Sequence, residues 1–134
     1  MKQKAVVFNI EDILFDKKRQ VHRVNYFTGE TESFFKKVQN KISRKEVIYA
    51  LQELSRKYKI VLISTLSKSL RGTIEDWLCT QQVVYNDLHL KPDYSKQPDN
   101  MYKVQVFFDS INRKYDVEYI FRTRKEVMNF LESE

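Results

Sequence analysis

The chain has 134 residues, of which 42% are hydrophobic and 13% aromatic, enough to bury one core and too apolar for a disordered segment. Its net charge of +6 is one-sided: residues 1–59 hold 14 Lys/Arg against 7 Asp/Glu, with the excess between Lys17 and Lys59. A lone Cys79 excludes an internal disulfide, no apolar run reaches bilayer length, and no leader pattern opens the chain, so no membrane partner and a reducing, cytoplasmic setting are expected.

In chain order, residues 4–9 form a short apolar run rich in β-branched side chains, the pattern of a strand buried on both faces. Residues 13–27 alternate loosely through Val21, Val24 and Phe27, which predicts a hairpin or flap; the flap-like insertion spans about residues 13–41. Ser43-Arg-Lys-Glu46 is a capping box and opens a helix whose inner face carries Val47, Leu51, Leu54 and Tyr58. A second buried strand is predicted over Ile60–Ser64. A helix over 68–80 follows, with Leu70, Ile74, Trp77 and Leu78 inward and Gly72 weakening it slightly.

A short strand is expected near 84–90, then a loop over 91–98 punctuated by Pro92 and Pro98. Met101, Val104, Phe108 and Ile111 mark the inner face of a third helix, which Asp99 is placed to cap. Val117–Phe121 reads as a strand, and Val127, Phe130 and Leu131 as the core side of a last helix. There are only two glycines and no repeat or linker, so residues 1–134 are expected to form a single domain. Strands alternating with helices imply a three-layer α/β/α, Rossmann-like fold around a mostly parallel sheet of about four strands. The strand ending at Asn9 should lie between those ending at Ser64 and Phe121. Functional groups should gather at the carboxyl ends of the strands.

At those ends the chain resembles the haloacid-dehalogenase-like (HAD-like) phosphatases. Val6–Asp16 is similar to their first motif, a strand followed by Asp-x-Asp-Gly-Thr-Leu; Ile60–Thr65 resembles the second, a strand ending in Ser or Thr. Leu70–Leu78 is similar to the helix after that motif in phage and bacterial relatives. Lys91-Pro92-Asp93 and Asp99–Lys103 resemble the substrate loop and third-motif lysine, and Val117–Arg124 stands where a strand ending in an acidic pair belongs. The arrangement resembles the 3'-phosphatase domain of phage polynucleotide kinases, which implies a phage-encoded protein acting in the host cytoplasm.

The resemblance implies an aspartate nucleophile, a second aspartate as general acid and base, and a magnesium ion. The chain departs from that pattern at each point. Asn9 stands at the nucleophile position, and a neutral amide oxygen is a poor nucleophile. Glu11 replaces the second aspartate and is one methylene longer. Arg122-Thr123 replaces the acidic pair, and a guanidinium repels a nearby divalent cation by a few kcal/mol at an effective dielectric of about 20. No catalytic residue, metal or cofactor is therefore expected, and Asn9, Glu11, Ser64, Lys103 and Arg122 become degenerate positions of an inactive site. Ser64 and Lys103 match positions that hold a phosphate, and Arg122 adds a third anion-friendly group. The competing structural reading pairs Arg122 with Glu11 or Asp12.

Elsewhere, His22 and His89 lack the neighbours a zinc site needs, and Cys79 beside Trp77 and Leu78 reads as a packing residue. Tyr26, Phe27, Phe34 and Phe35 interleave with Lys17, Lys18, Arg19, Arg23, Lys36 and Lys37, a pattern that stacks bases and holds phosphates or else docks a protein. Two functions follow: a pseudophosphatase that binds a host or viral protein or nucleic acid, or an atypical polynucleotide 3'-phosphatase working through Glu11 or Asp12. The partner is a protein or a nucleic acid on equal footing.

Overall fold

A computed structural model describes residues 2–10, 45–92 and 96–133. Strand β1 (Gln3–Asn9) is followed in the described chain by α1 (Lys45–Leu54), β2 (Lys59–Ser67), a 3₁₀ turn (Lys68–Leu70) and α2 (Arg71–Thr80). Then come β3 (Asp87–Lys91), α3 (Asp99–Val106), a π-helical turn (Phe107–Ile111) with a last turn (Asn112–Lys114), β4 (Tyr115–Phe121) and α4 (Arg124–Ser133).

The four strands form one sheet in the order β3-β2-β1-β4, and every pairing is parallel. Thus β1 lies between β2 and β4, as its continuous apolar run demands: Ala5, Val6, Val7 and Phe8 are buried on both faces. Two cores flank the sheet. On one face Val6, Phe8 and Leu62 meet Leu51 of α1, Ile74 and Trp77 of α2, and Val127 of α4. On the other, Val7, Val61 and Ile63 meet Tyr102 and Ile111 of the α3 region. The fold is therefore the three-layer α/β/α sandwich that alternating elements predict.

A register shift on β4 shapes the site. Ala5 pairs with Val117 but Val6 with Tyr119, so Glu118 is an extra residue on β4. Such a bulge reverses the inside-outside alternation. Before it Tyr115 and Val117 belong to the α3-side core; beyond it Phe121 belongs to the opposite one, stacked on Phe8 at 4.7 Å between ring centroids.

Several elements differ from the sequence pattern. Strand β2 runs on to Ser67, because Ser67 regains pairing with Lys91 after a second register shift. Strand β3 starts at Asp87, later than the apolar pattern implies. Helix α1 ends at Leu54, leaving Tyr58 to pack half-buried from the following turn; the capping box at Ser43 lies outside the described residues, as do 13–41.

Helix α3 is rotated from expectation. Ile111 is buried, but Met101, Val104 and Phe108 are 54%, 56% and 60% exposed, and Tyr102 takes the inner position. The π turn adds a residue to its helical turn, so the 3.6-residue spacing that aligned Met101 with Ile111 does not hold. Cys79 also departs from its packing role: it is exposed, on the outer side of α2.

At the amino edge of the sheet a polar clamp joins the two outer strands. Tyr115 donates its hydroxyl to Asp87 at 2.7 Å, and the Lys114 amine reaches the same carboxylate at 3.0 Å. Burial alone would raise the Asp87 pKa, but the hydrogen bonds from Tyr115 and Lys114 together outweigh it and hold the carboxyl below its ordinary value.

Candidate functional site

Strand β1 ends with Asn9 opposite Ile63, and Phe8 stands opposite Phe121, so Asn9 and Arg122 emerge side by side at the carboxyl edge. The winding reverses here, with β2 and β3 on one side of β1 and β4 on the other. In open parallel sheets this crevice is where ligands bind. Lys103, one turn into α3, approaches from the α3 face. Asn9, Lys103 and Arg122 line one hollow of about 410 Å³, together with Val7, Ile63 and Phe107.

Three of the residues singled out from the sequence thus share a cavity. Asn9 is 8% exposed; Arg122 lies open to solvent. Ser64 stands apart from these walls. It follows Ile63 and, by strand alternation, is directed to the other face. It is fully buried, and its hydroxyl oxygen accepts the Leu66 N–H at 2.9 Å. Glu11 and Asp12 lie outside the described residues, as do Lys17, Lys18, Arg19, Arg23, Tyr26, Phe34, Lys36 and Lys37.

The electrostatics are cationic. Among the described residues, the charged walls of the hollow are Lys103 and Arg122, with Asn9 and Asn100 as neutral amides and no carboxylate. Neither Lys103 nor Arg122 enters an ion pair with another described residue. Among the described residues this donor set offers none of the hard, anionic oxygens that magnesium takes in near-octahedral array. It fits an anion, which an amine and a guanidinium hold by charge-assisted hydrogen bonds.

Two local devices hold the cations in place, and neither was evident as site architecture in the sequence. The first is a capping box at the start of α4. Thr123 accepts the Glu126 N–H at 3.1 Å, and Glu126 reaches back to the Arg122 N–H at 3.3 Å. The signal was present as Thr-x-x-Glu, the same pattern that marks Ser43 and Glu46. At the end of β4 the chain therefore carries a helix cap that sets the Arg122 backbone. The second is Lys91, whose amine meets the Asp99 carboxylate at 3.0 Å and the Gln97 carbonyl at 2.5 Å. It ties the first turn of α3, and so Lys103, to the end of β3. Asp99 is accordingly not the cap: Pro98 occupies that position and Asp99 is the first helical residue. His89 on β3 is half-buried, and burial foremost keeps its pKa below the ordinary value.

A second hollow of about 430 Å³ lies along the outer side of β4, walled by Val117, Glu118, Tyr119 and Glu126. It shares Phe107, Ile120 and Arg122 with the first, so the two are contiguous.

The chain is similar to solved structures of this architecture. A chain titled "Structure of Pnkp1/Rnl/Hen1 complex" matches with a TM-score of 0.68 and 21% identity over 89% of this chain. Another, titled "Structure of the Pnkp1/Rnl/Hen1 RNA repair complex", matches with a TM-score of 0.69 and 22% identity over 96%. In each case the match spans 38% of the solved chain's length. No curated protein matches the chain. No described helix is long and apolar enough to cross a membrane. The family model described as "Polynucleotide kinase PNKP phosphatase domain" matches residues 4–133. The chain belongs to the phosphatase-domain family of polynucleotide kinases.

Proposed function

We propose that this member of the phosphatase family binds and does not hydrolyse: a pseudophosphatase that holds an anion of its partner and acts as a binding or regulatory domain. The observation that carries this is the single hollow shared by Asn9, Lys103 and Arg122, whose described walls include no carboxylate. Phosphoryl transfer through an aspartyl-phosphate needs a carboxylate at the end of β1, and Asn9 stands there. The cation that assists it is opposed by Arg122. Two cationic groups at the mouth of an apolar cavity instead favour a phosphate or carboxylate. The solved chains of similar fold come from multiprotein complexes, one of them titled for RNA repair, which supports a protein or RNA partner here.

The test is a turnover assay with magnesium and a 3'-phosphorylated oligonucleotide, paired with a binding titration of the same oligonucleotide. The expected result is no hydrolysis above background. Turnover that vanishes in the Glu11→Gln variant would make the chain an active, atypical phosphatase. The basic run Lys17, Lys18, Arg19 and Arg23 gives the titration its second arm. If the partner anion is nucleic acid, affinity falls with salt by about 0.7 to 0.9 log units per log unit for each phosphate contact, and replacing all four residues by alanine flattens that slope.

A further inference from the structure

Helix α3 turns an apolar stripe away from the core. Met101 and Val104 lie one helical turn apart on α3, and Phe108 follows in the π turn, where it walls the same hollow as Val104. All three are more than half exposed, and Ile120 of β4 is 45% exposed beside the hollow that Val104 and Phe108 wall. Large apolar side chains in one exposed row mark an interaction surface. Its margin carries Lys103 and Arg122.

We infer that the Met101–Val104–Phe108 stripe receives an amphipathic helix of a partner protein, with acidic residues of that helix meeting Lys103 and Arg122. This rests on reading the cavity as an anion site and names the class of partner that site takes. Three observations select this occupant. Met101, Val104 and Ile120 make the exposed row mainly aliphatic, with Phe108 as its ring, which offers little to stack on a base but matches the apolar anchors of a helix laid in a groove. The cations Lys103 and Arg122 at the margin of the stripe favour a partner helix whose flanks are acidic. An added strand is opposed at β4, where Glu118 bulges and Asp116 and Glu118 lie exposed, features that guard a sheet edge.

The probe is a synthetic amphipathic helical peptide with leucine along one face and glutamate on its flanks, compared with a twin carrying lysine for glutamate. Fluorescence anisotropy should show the glutamate peptide binding at least about tenfold more tightly than its twin. Phe108→Asp and Val104→Asp should each weaken it by about tenfold or more, since these are the apolar anchors. Arg122→Glu should erase the preference between the twins. Circular dichroism checks that each variant folds, and Met101→Glu takes the place of any that does not. Equal binding of both peptides, no binding of the glutamate peptide, or binding untouched by Phe108→Asp would overturn the inference. So would a dimer in light scattering that Val104→Asp dissolves, or single-stranded RNA binding that Phe108→Asp removes. Hydrolysis by the unmodified protein would defeat the non-hydrolytic reading alone, leaving the peptide result to stand by itself.

Discussion

In the non-hydrolytic reading proposed above, Asn9 is the residue on which the loss of phosphatase activity turns. It ends the central strand almost fully buried, at the position from which a nucleophile would attack. On that reading, restoring the carboxylate would not suffice, because Arg122 shares the hollow and would oppose a cation there. Asn9→Asp alone is therefore expected to remain at background in an aryl-phosphate assay with magnesium. A rate clearly above background would show that Arg122 does not block the metal. Both residues were legible in the sequence, because a strand ending in a polar residue is a local pattern. The Thr123 and Glu126 cap is a local pattern too, a Thr-x-x-Glu box like the Ser-x-x-Glu box at Ser43. That it fixes Arg122 at the rim depends on where β4 ends beside β1, which no local pattern contains.

At the scale of elements, the exposed and buried sides of α3 should separate cleanly in stability. Ile111→Ala is expected to cost about 2 to 4 kcal/mol, because the side chain is buried between helix and sheet. Val104→Ala should stay within about 0.5 kcal/mol, because its side chain is largely exposed. Urea unfolding of the two variants decides it; equal losses would mean that the stripe is packed. Helix α2 provides a second prediction. Gln82 ends it with a φ of 60°, while Val83 and Gln82 donate to the Leu78 and Cys79 carbonyls in a Schellman turn. That position favours glycine, so Gln82→Gly should raise stability by roughly 1 kcal/mol. Gly72, in the first turn, has open space where a Cβ would lie, so Gly72→Ala should add about 0.5 kcal/mol. Thermal melts showing a lower Tm for both variants would reject this account of the helix ends.

Across the whole molecule, the clamp of Asp87, Tyr115 and Lys114 sits at the opposite edge from the site and joins the outer strands of the sheet. The folded state holds the Asp87 carboxyl below its ordinary pKa, so its contribution is present above about pH 4 and lost as pH falls through the folded value. Asp87→Asn should therefore be less stable than the unmodified chain at pH 7, by no more than about 1 kcal/mol because solvent screens the pair. The difference should close in acid. Denaturant titrations at pH 7 and pH 3 measure it, and a gap that widens in acid would contradict the assignment. The strand and helix types, the central place of β1 and the family resemblance were determined by the sequence alone. Each follows from apolar runs and spacing that reside within a few neighbouring residues. Only the tertiary structure decided which face of α3 is buried, how far β2 extends, and that Asn9, Lys103 and Arg122 share a hollow while Ser64 turns away. The physical reason is register: the π turn and the bulge at Glu118 each displace side chains by one residue and the shift between β2 and β3 by two, and packing of the elements against one another, not any local pattern, sets those displacements.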